Sequence, residues 1–518
     1  MDRNNAVEQL DKDHEIWDFI IIGGGATGLG TAVEAASRGY KTLLLEQHDF
    51  AKGTSSRSTK LVHGGVRYLR QGNVSLVLEA LRERGLLRKN APHLVKNQSF
   101  IVPNYDWWEG PFYGIGLKIY DKLAGDLGLG PSKHLSKEET LKYIPTLEPE
   151  DLNGGVIYYD AQFDDSRLAV NLVQTVYDNA GVAINYMKVI DLLKSNGLVT
   201  GVTVEDQING TEYEIQGRVV VNATGIFTDS IRKMDDETND EIIQPSQGVH
   251  IVLDKSFQPG ESAIMVPKTD DGRVLFAVPW HNRIIVGTTD TPIEEPSLEP
   301  RALEEEIDFL LTHAARYLTK DPEPEDVLSV FAGLRPLVSR GGSKETSSIS
   351  RDHTLLIDPS GLVTITGGKW TTYRKMAEDT VDEAAVVAGL DERESNTENL
   401  RLHGWLKNSE AAEPYELYGS DALSLKKIAD EQPGWGEPMH SNLPYTPAEV
   451  VWAARSEMAI TVEDVLARRT RALLLDARAS IDIADRVASL MADELGKDKN
   501  WEQQQVEEYT ELANGYLL

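Results

Sequence analysis

The segment that most restricts the fold of this chain is WDFIIIGGGATGLGTAVEAASRGYKTLLLEQ, which occupies residues 17–47. Its apolar run Phe19–Ile22 predicts a short buried strand of a parallel sheet. A glycine-rich turn and an Ala-rich helix to about Arg38 follow, and Thr42–Leu45 predicts a second strand. Strand, glycine turn, helix and strand in this order indicate a βαβ unit that binds a dinucleotide.

Three glycines of the turn match the G-x-G-x-x-G pattern: Gly23, Gly25 and Gly28. The first permits the tight turn, the second lets a pyrophosphate approach the backbone, and the third lets helix and strand pack closely. The N–H groups at the helix start are available to the phosphates. Glu46 lies 21 residues after Gly25, where its carboxylate would accept hydrogen bonds from both ribose hydroxyls.

Two later segments favour FAD over NAD as the dinucleotide. In RVVVNATGIFTDS, the strand Val219–Val221 leads into Ala223 and Gly225, as in the second FAD-contacting strand of flavoproteins with two dinucleotide folds. In GLVTITGGKWTTYRK, a predicted strand at 362–366 is followed by a turn at Gly367 and Gly368. No second G-x-G-x-x-G pattern follows a predicted strand, so we expect no separate NAD(P)H domain, and the substrate itself must reduce the flavin.

Thr371 and Thr372 follow that glycine turn and open a helix. The positive end of the helix dipole would face the pyrimidine ring of the flavin and favour its anionic reduced form. The predicted cofactor is therefore FAD, and the predicted cofactor-binding residues are Gly23, Gly25, Gly28, Glu46, Ser55, Ser56, Lys60, Ala223, Gly225, Gly368, Thr371 and Thr372.

The pieces that contact FAD are far apart in the sequence, so the FAD-binding domain must be discontinuous. Between them, AIMVPKTDDGRVLFAVPWHNRIIVGTTD alternates strand-like runs with turns and predicts an antiparallel sheet. From about Asp391 helical patterns with caps prevail, such as the capping box that Thr446 begins. The predicted fold is α/β plus α: a discontinuous Rossmann-like FAD-binding domain of the two-dinucleotide-fold type (1–80, 155–235 and 345–388), a substrate domain with an antiparallel sheet (81–154 and 236–344) and an all-helical C-terminal domain (389–518).

Composition excludes several classes of protein. The 518 residues carry a net charge of −31, which repels nucleic acid, so no nucleic-acid partner is expected. The chain has no cysteine, which excludes disulfides, thiolate catalysis and Cys-ligated metals. No sequence pattern predicts a catalytic metal. The polar N-terminus lacks the apolar stretch of a signal peptide, and no run is long enough to span a membrane, so a cytoplasmic protein is expected.

Six motifs occur in one order that resembles the FAD-dependent, quinone-linked (aerobic) glycerol-3-phosphate dehydrogenases: GGGATG, TSSRSTKLVHGGVRYL, GTTDTP, AGLRPL, ISRDHTLL and GGKWTTYRKMAE. The resemblance extends over nearly the whole chain. It implies oxidation of sn-glycerol 3-phosphate to dihydroxyacetone phosphate by hydride transfer to FAD, with electrons passed to membrane quinone. It also implies a homodimer at the cytoplasmic face of the inner membrane, held peripherally. Some relatives use oxygen instead of quinone.

Three residues are the candidates for catalysis. His63 is the leading base, because an imidazole titrates near working pH and the glycines after it would let it approach the flavin. His250 is either a rival base or a group that orients the substrate, and it is otherwise a core histidine at a strand edge. Arg335, in GLRPL, is pinned in an extended apolar segment and would stabilise the developing alkoxide.

The remaining predicted substrate contacts serve the phosphate. Arginine suits a phosphate dianion because its N–H groups bind two oxygens at once. Tyr68 is expected to add a hydroxyl contact. The predicted substrate-binding residues are Arg67, Tyr68, Arg351 and Lys369.

The segment VPNYDWWEGPFYGIGLKIYDKLAG, which begins at Val102, combines aromatic residues with lysines. This mixture is typical of an interfacial membrane anchor. The residues that would take part are Trp107, Trp108, Phe112, Tyr113, Leu117 and Tyr120, with Lys118 and Lys122 among them. The alternative is an ordinary buried helical hairpin over the substrate cavity.

Other functions remain open at this point. The nearest is a glycerol-3-phosphate oxidase that passes electrons to oxygen. Another is an FAD-dependent 2-hydroxy-acid or amino-acid oxidoreductase on the same fold, for which the predicted cation cluster is oversized. A flavin-bearing tRNA-modification protein and a scaffold without flavin belong to different classes, and the net charge disfavours the former.

Overall fold

The computed structural model describes residues 1–10, 16–66, 73–106, 109–270, 272–339, 353–407 and 414–518. In these ranges it contains two β-sheets, helices that cover them, and a helical C-terminal domain. The predicted combination of a Rossmann-like FAD-binding fold, a second sheet and a helical C-terminal domain is confirmed. Within the described ranges, no helix is both long and apolar enough to cross a membrane.

The first sheet carries the dinucleotide unit and has eight strands: β1 (Trp17–Ile22), β2 (Thr42–Leu45), β7 (Val182–Ile184), β8 (Met187–Ser195), β9 (Leu198–Asp206), β10 (Glu212–Asn222), β17 (His353–Ile357) and β18 (Val363–Gly367). The central strand β1 pairs in parallel with β2 on one side and with β10 on the other, so that Phe19 lies beside Thr42 and Val219. Phe19, Ile20 and Ile21 are fully buried, as expected for a strand in the middle of a parallel set.

The second sheet has ten strands: β3 (Leu61–Val62), β4 (Lys96–Asn104), β5 (Lys133–Leu135), β6 (Gly154–Gln162), β11 (Ile243–Asp254), β12 (Ala263–Val266), β13 (Leu275–Trp280), β14 (Arg283–Gly287), β15 (Thr291–Pro292) and β16 (Val327–Val338). All its pairs are antiparallel except that between β4 and β12. The turn between β13 and β14 has positive φ at His281 and Asn282, as expected for a tight hairpin.

Two segments assigned by sequence to the FAD-binding domain pair in the second sheet instead. Strand β6, within the predicted range 155–235, is hydrogen-bonded along its length to β4. Strand β3, within the predicted range 1–80, pairs with the end of β6. The chain therefore crosses from the first sheet to the second between β2 and β3, and it returns to the first sheet after β6.

The helices outside the C-terminal domain are α1 (Arg3–Val7), α2 (Ala26–Ser37), α3 (Val74–Asn90), α4 (Glu109–Ala124), α5 (Lys137–Tyr143), α6 (Asp165–Asp178), α7 (Thr228–Asp235), α8 (Glu304–Ala315) and α9 (Tyr373–Val387). Helix α2 follows the glycine turn and packs against α9 and α6. On α4, Leu117 and Tyr120 are buried, so the prediction that they belong to a membrane anchor is wrong. Trp107 and Trp108 lie outside the described residues.

The C-terminal domain is built from α10 (Ala422–Ala429), α11 (Pro447–Ser456), a π-helix (Asp464–Arg469), α12 (Ala472–Leu475), α13 (Ala477–Asp482), α14 (Ala484–Leu495) and α15 (Lys499–Asn514). Its caps follow the sequence. Thr446 and Glu449 form the predicted capping box before α11. Gly496 ends α14 with a left-handed φ of 63°.

His403 joins the C-terminal end of α6 to the C-terminal domain. Its Nδ1 lies 2.8 Å from Asp178 and its Nε2 lies 3.0 Å from Asp421. Burial disfavours the imidazolium, but the two carboxylates outweigh burial and raise the pKa of His403 to about 9. Because the folded pKa exceeds the unfolded value, the contact stabilises the fold fully below about pH 6.5 and loses its effect as the pH rises towards about 9.

We expect His403→Gln to lower the free energy of unfolding by about 1–2 kcal/mol near pH 6, since the site is partly solvated. The difference between wild type and variant should vanish near about pH 10, where the wild-type imidazole is neutral. Urea unfolding of both proteins at the two pH values measures this. A difference that stays constant across the range would contradict the assignment.

Candidate active site

A cavity of about 610 Å³ is lined by both sheets. The parallel strands of the first sheet contribute their carboxyl ends: Ile22, Leu45, Ala223 and Gly367. The second sheet contributes residues of β11, β13 and β16: Gly248, His250, Phe276, Gly333 and Arg335. Ligands of open α/β sheets bind at the carboxyl ends of the strands, so this cavity is where the dinucleotide is expected to bind.

The glycine turn has the shape that a pyrophosphate requires. Gly23 has φ of +110°, and a Cβ there would lie 2.6 Å from the carbonyl oxygen of Ala223. A Cβ on Gly28 would lie 1.9 Å from the carbonyl oxygen of Gly23, so only glycine lets α2 pack against the turn. Gly25 immediately precedes α2 and lines the cavity with backbone. Phosphates can therefore approach the start of α2 closely.

Glu46 lines the cavity beside this turn. Its carboxylate accepts hydrogen bonds from the N–H groups of Gly24 at 2.6 Å and His48 at 2.9 Å. Burial raises the pKa of Glu46, while the two N–H groups favour its ionised form. The carboxylate is thereby fixed at the end of β2, where a ribose is expected.

The polar loop after β2 closes the other side of the cavity. The Ser55 hydroxyl accepts a hydrogen bond at 2.9 Å from the N–H of Ala26, the first residue of α2. The carbonyl of Ser55 accepts from Trp370 Nε1, also at 2.9 Å. Ser55, Trp370 and Thr371 all line the cavity, so the loop, the glycine turn and the turn before α9 meet there.

Lys60 and Ser56 do not line the cavity, so the predicted pyrophosphate contacts do not fit this structure. Lys60 is fully buried, and its ammonium donates to Asp165 and to the Ser56 carbonyl, both at 2.7 Å. Burial lowers the pKa of Lys60 to about 8. Asp165 also accepts from Ser58 and Arg471, so the lysine belongs to a buried ion cluster that joins the domains.

Two other predicted cofactor residues also stand outside the lining. Gly28 acts through the packing of α2, as its neighbours show. Thr372 is buried, and its hydroxyl donates to the Lys369 carbonyl at 3.4 Å within the turn before α9. The predicted cofactor residues that do line the cavity are Gly23, Gly25, Glu46, Ser55, Ala223, Gly225, Gly368 and Thr371.

His63 lines the cavity directly after β3. The backbone N–H of His63 donates to Thr371 Oγ1 at 3.3 Å. The N–H of Gly64 donates to the hydroxyl oxygen of Tyr120 at 2.8 Å, and Tyr120 donates to Asp160, also at 2.8 Å. A Cβ on Gly64 would lie 2.5 Å from the Tyr120 hydroxyl oxygen. The backbone at His63 is thus held between the turn before α9 and a buried tyrosine–aspartate pair.

His250 lines the same cavity from β11. Its Nε2 shares a hydrogen bond of 2.9 Å with the Thr59 hydroxyl, and its ring stacks on Phe331 with centroids 4.8 Å apart. Burial and the positive charges of Lys60 and Arg335 hold the pKa of His250 well below its usual value. The imidazole is therefore neutral at neutral pH.

The guanidinium of Arg335 lies across β11, where Gly248 leaves room for it. A Cβ on Gly248 would lie 2.4 Å from an Nη atom of Arg335. The guanidinium donates to the carbonyls of Gln247 at 3.2 Å and Thr289 at 3.0 Å, and to the Thr288 hydroxyl at 3.2 Å. Sequence reasoning assigned no role to Thr288 and Thr289, although they belong to the GTTDTP motif of the resemblance.

The structure brings four predicted site residues together at this cavity: His63, His250, Arg335 and Lys369. Three predicted substrate contacts lie outside the described residues: Arg67, Tyr68 and Arg351. Sequence reasoning missed Arg57, which lines the cavity and donates to Glu299 at 2.5 Å and to the Ala332 carbonyl at 3.3 Å. Its position in TSSRSTK, between the predicted cofactor residues Ser56 and Lys60, could have indicated that Arg57 lies at the site.

Comparison with known proteins identifies the cofactor that these residues fit. A family model described as FAD dependent oxidoreductase matches residues 18–374. A second model, the C-terminal domain of alpha-glycerophosphate oxidase, matches residues 362–504. FAD is therefore the cofactor of this fold, and the glycine turn, Glu46 and the turn before α9 are the residues that would hold it.

Relatives with assigned names agree. Mitochondrial glycerol-3-phosphate dehydrogenase of Mus musculus is 40% identical over 97% of this chain and 73% of its own length. Glycerol-3-phosphate dehydrogenase SDP6 of Arabidopsis thaliana is 40% identical over 96% of this chain and 86% of its own length. The crystal structure of glycerol-3-phosphate dehydrogenase from Bacillus halodurans complexed with FAD matches with a TM-score of 0.81 and 30% identity, over 99% of this chain and 97% of that one. The chain thus belongs to the FAD dependent oxidoreductases and, among them, to the glycerol-3-phosphate dehydrogenase family.

Proposed function

We propose that this chain oxidises sn-glycerol 3-phosphate to dihydroxyacetone phosphate and passes the electrons to a membrane quinone. The observation that carries the proposal is the meeting of His63, His250, Arg335 and Lys369 at the cavity that contains the glycine turn. These residues come from four distant parts of the chain, and together they supply a proton acceptor, a neutral hydrogen-bonding imidazole and two cations.

His63 is the better base of the two histidines. A general base must take up a proton near the working pH, and the pKa of His250 is well below its usual value because the ring is buried near two cations. His250 instead orients the substrate as a neutral hydrogen-bonding group. Its Nε2 is already shared with Thr59.

The reaction removes two hydrogens from the secondary alcohol. The hydroxyl proton goes to His63, the C–O bond becomes a carbonyl, and FAD, when bound, supplies the acceptor for the hydride from the same carbon. Arg335 stabilises the oxygen as its negative charge develops. Lys369 provides positive charge for the phosphate, and Arg67, Tyr68 and Arg351 remain proposed phosphate contacts.

Anaerobic mixing of the holoenzyme with sn-glycerol 3-phosphate tests the substrate. We expect the flavin absorbance to bleach with this substrate and not with glycerol, lactate or alanine, because the site supplies cations for a phosphate. Bleaching by lactate or alanine in place of glycerol 3-phosphate would overturn the proposed substrate. Re-oxidation by a short-chain quinone without peroxide supports the quinone acceptor, whereas stoichiometric peroxide in air would make the protein an oxidase.

Helices α3 and α4 pack against each other. Exposed apolar side chains on both helices support the proposed membrane contact. Ile115 is 64% exposed and Ile119 is 48% exposed on α4, and Val74 and Leu78 are each 43% exposed on α3. The exposed Lys118 lies between the two isoleucines in sequence. Apolar side chains next to lysine suit the surface of an anionic bilayer at the cytoplasmic face of the inner membrane.

The double variant Ile115→Asn, Ile119→Asn should bind vesicles about tenfold more weakly, because both side chains lose apolar contact with lipid. Co-sedimentation with phosphatidylglycerol vesicles measures this, and flavin bleaching should be unchanged. The matched control is Val386→Asn with Leu423→Asn, two side chains that are 76% and 65% exposed elsewhere. Wild-type vesicle binding by the Ile115 and Ile119 variant would contradict this surface.

A further inference from the structure

We propose that the C-terminal domain is part of the FAD site, because it fixes the loop that holds the adenosine side of the cofactor. The loop comprises residues 46–53, between β2 and the polar segment, and Glu46, Gln47, Ala51, Lys52 and Gly53 of this loop line the cavity. The proposal rests on FAD binding alone and is independent of the substrate and the electron acceptor.

The first contact is a buried ion cluster at Asp49, which is fully buried. Its carboxylate accepts from Arg468 Nε at 2.5 Å and from the two Nη atoms of Arg469 at 2.7 and 2.8 Å. Both arginines belong to the π-helix of the C-terminal domain and are 3% exposed. Three charge-assisted hydrogen bonds thus tie the middle of the loop to residues more than 400 positions away in sequence.

Asp49 is ionised in this cluster. Burial opposes ionisation, but the charges and hydrogen bonds of Arg469 and Arg468 outweigh burial and hold the pKa of Asp49 below its usual value. Replacement by asparagine therefore removes a negative charge that two buried guanidinium groups share.

The second contact reaches the cavity wall itself. Lys52 lines the cavity, and its ammonium donates to Glu463 Oε2 at 2.8 Å. Glu463 also accepts from Arg468 at 2.7 Å, so the same arginine serves both contacts. The C-terminal domain thereby restrains the loop at its middle and near its end.

The loop is in turn bonded to the glycine turn. Glu46 accepts from Gly24 and from His48, the residue before Asp49. The N–H of Ala51 donates to the Gly24 carbonyl at 2.9 Å. A shift of Asp49 would therefore move both the ribose carboxylate and the turn that receives the pyrophosphate. Asp49 is accordingly a positioning residue, which acts through Glu46 and Gly24.

The test measures the rate at which the holoenzyme releases FAD, followed by the fluorescence of the free cofactor. We expect Asp49→Asn to release FAD about tenfold faster or more than wild type, because a charge-assisted restraint on the site is lost. Glu463→Gln weakens the Lys52 contact and one bond of Arg468 but leaves Asp49 and its arginines in place, and it should accelerate release by about threefold. If Asp49→Asn yields no folded holoenzyme, the rate of FAD release from Glu463→Gln tests the proposal instead.

The matched control is Glu494→Gln, which breaks an ion pair within the C-terminal domain that does not involve the loop. Arg455 donates to Glu494 at 2.6 and 2.8 Å. This variant should lower the thermal midpoint and release FAD at the wild-type rate. Release at the wild-type rate from Asp49→Asn or Glu463→Gln would overturn the proposal. So would equal acceleration by Glu494→Gln, because the effect would then reflect stability alone.

Discussion

Replacement of Arg335 by alanine is expected to lower kcat/KM for sn-glycerol 3-phosphate by about 10²–10³-fold. The guanidinium is held by the carbonyls of Gln247 and Thr289 in a space that Gly248 leaves open, so it is pre-organised before substrate binds. A pre-organised cation next to the reacting oxygen stabilises charge that develops only in the transition state, and the loss should therefore appear mainly in kcat. Steady-state kinetics with a soluble acceptor measures it.

Two controls separate chemistry from folding. Arg316→Ala removes an exposed arginine that pairs with Asp270, outside the cavity lining, and should keep wild-type kinetics. The FAD content of Arg335→Ala should equal that of wild type, because the contacts of Arg335 do not include the glycine turn. If Arg335→Ala retains both FAD and full activity, Arg335 has no role in catalysis.

Replacement of His63 by glutamine should lower kcat by about 10²–10⁴-fold, because the substrate hydroxyl would lose its proton acceptor. Glutamine retains hydrogen-bonding capacity but does not titrate, so the rise of kcat with pH that a histidine base produces should also disappear. Stopped-flow flavin reduction between about pH 5.5 and pH 9 measures both effects without the electron acceptor.

The matched control for His63→Gln is His403→Gln, which changes a histidine outside the cavity lining and should leave flavin reduction unchanged. His250→Gln is informative in another way. Since the pKa of His250 is already far below neutral, its loss should weaken substrate binding while the pH profile of kcat keeps its shape. If kcat of His63→Gln still rises with pH and kcat of His250→Gln does not, then His250 is the base and His63 is the residue that orients the substrate.

Local features of this fold were predictable because they depend on short-range rules. The strand Thr42–Leu45 follows from its apolar run, and the capping box of α11 follows from Thr446, Pro447 and Glu449. The glycine turn was predictable for the same reason, since each glycine answers a steric need within a few residues or at the next strand.

Contacts between distant segments were not predictable in this way. Lys60 looked like a phosphate ligand in TSSRSTK, but its ammonium pairs with Asp165, which lies 105 positions later. Strand β6 has an apolar run that fits either sheet, and only its register with β4 assigns it to the second. The GTTDTP motif likewise shows its role only when β16 brings Arg335 across β11.

The central strand β1 is made early in synthesis, but its two neighbours are not. Strand β2 follows within about 20 residues, whereas β10 is about 200 residues away, which corresponds to roughly 10–40 s on a translating ribosome. During that interval one edge of the apolar strand β1 has no native partner, and an open apolar edge invites pairing with other chains. We therefore expect a nascent chain of this protein to depend on a chaperone that covers this edge of β1 until the residues of β10 emerge from the ribosome.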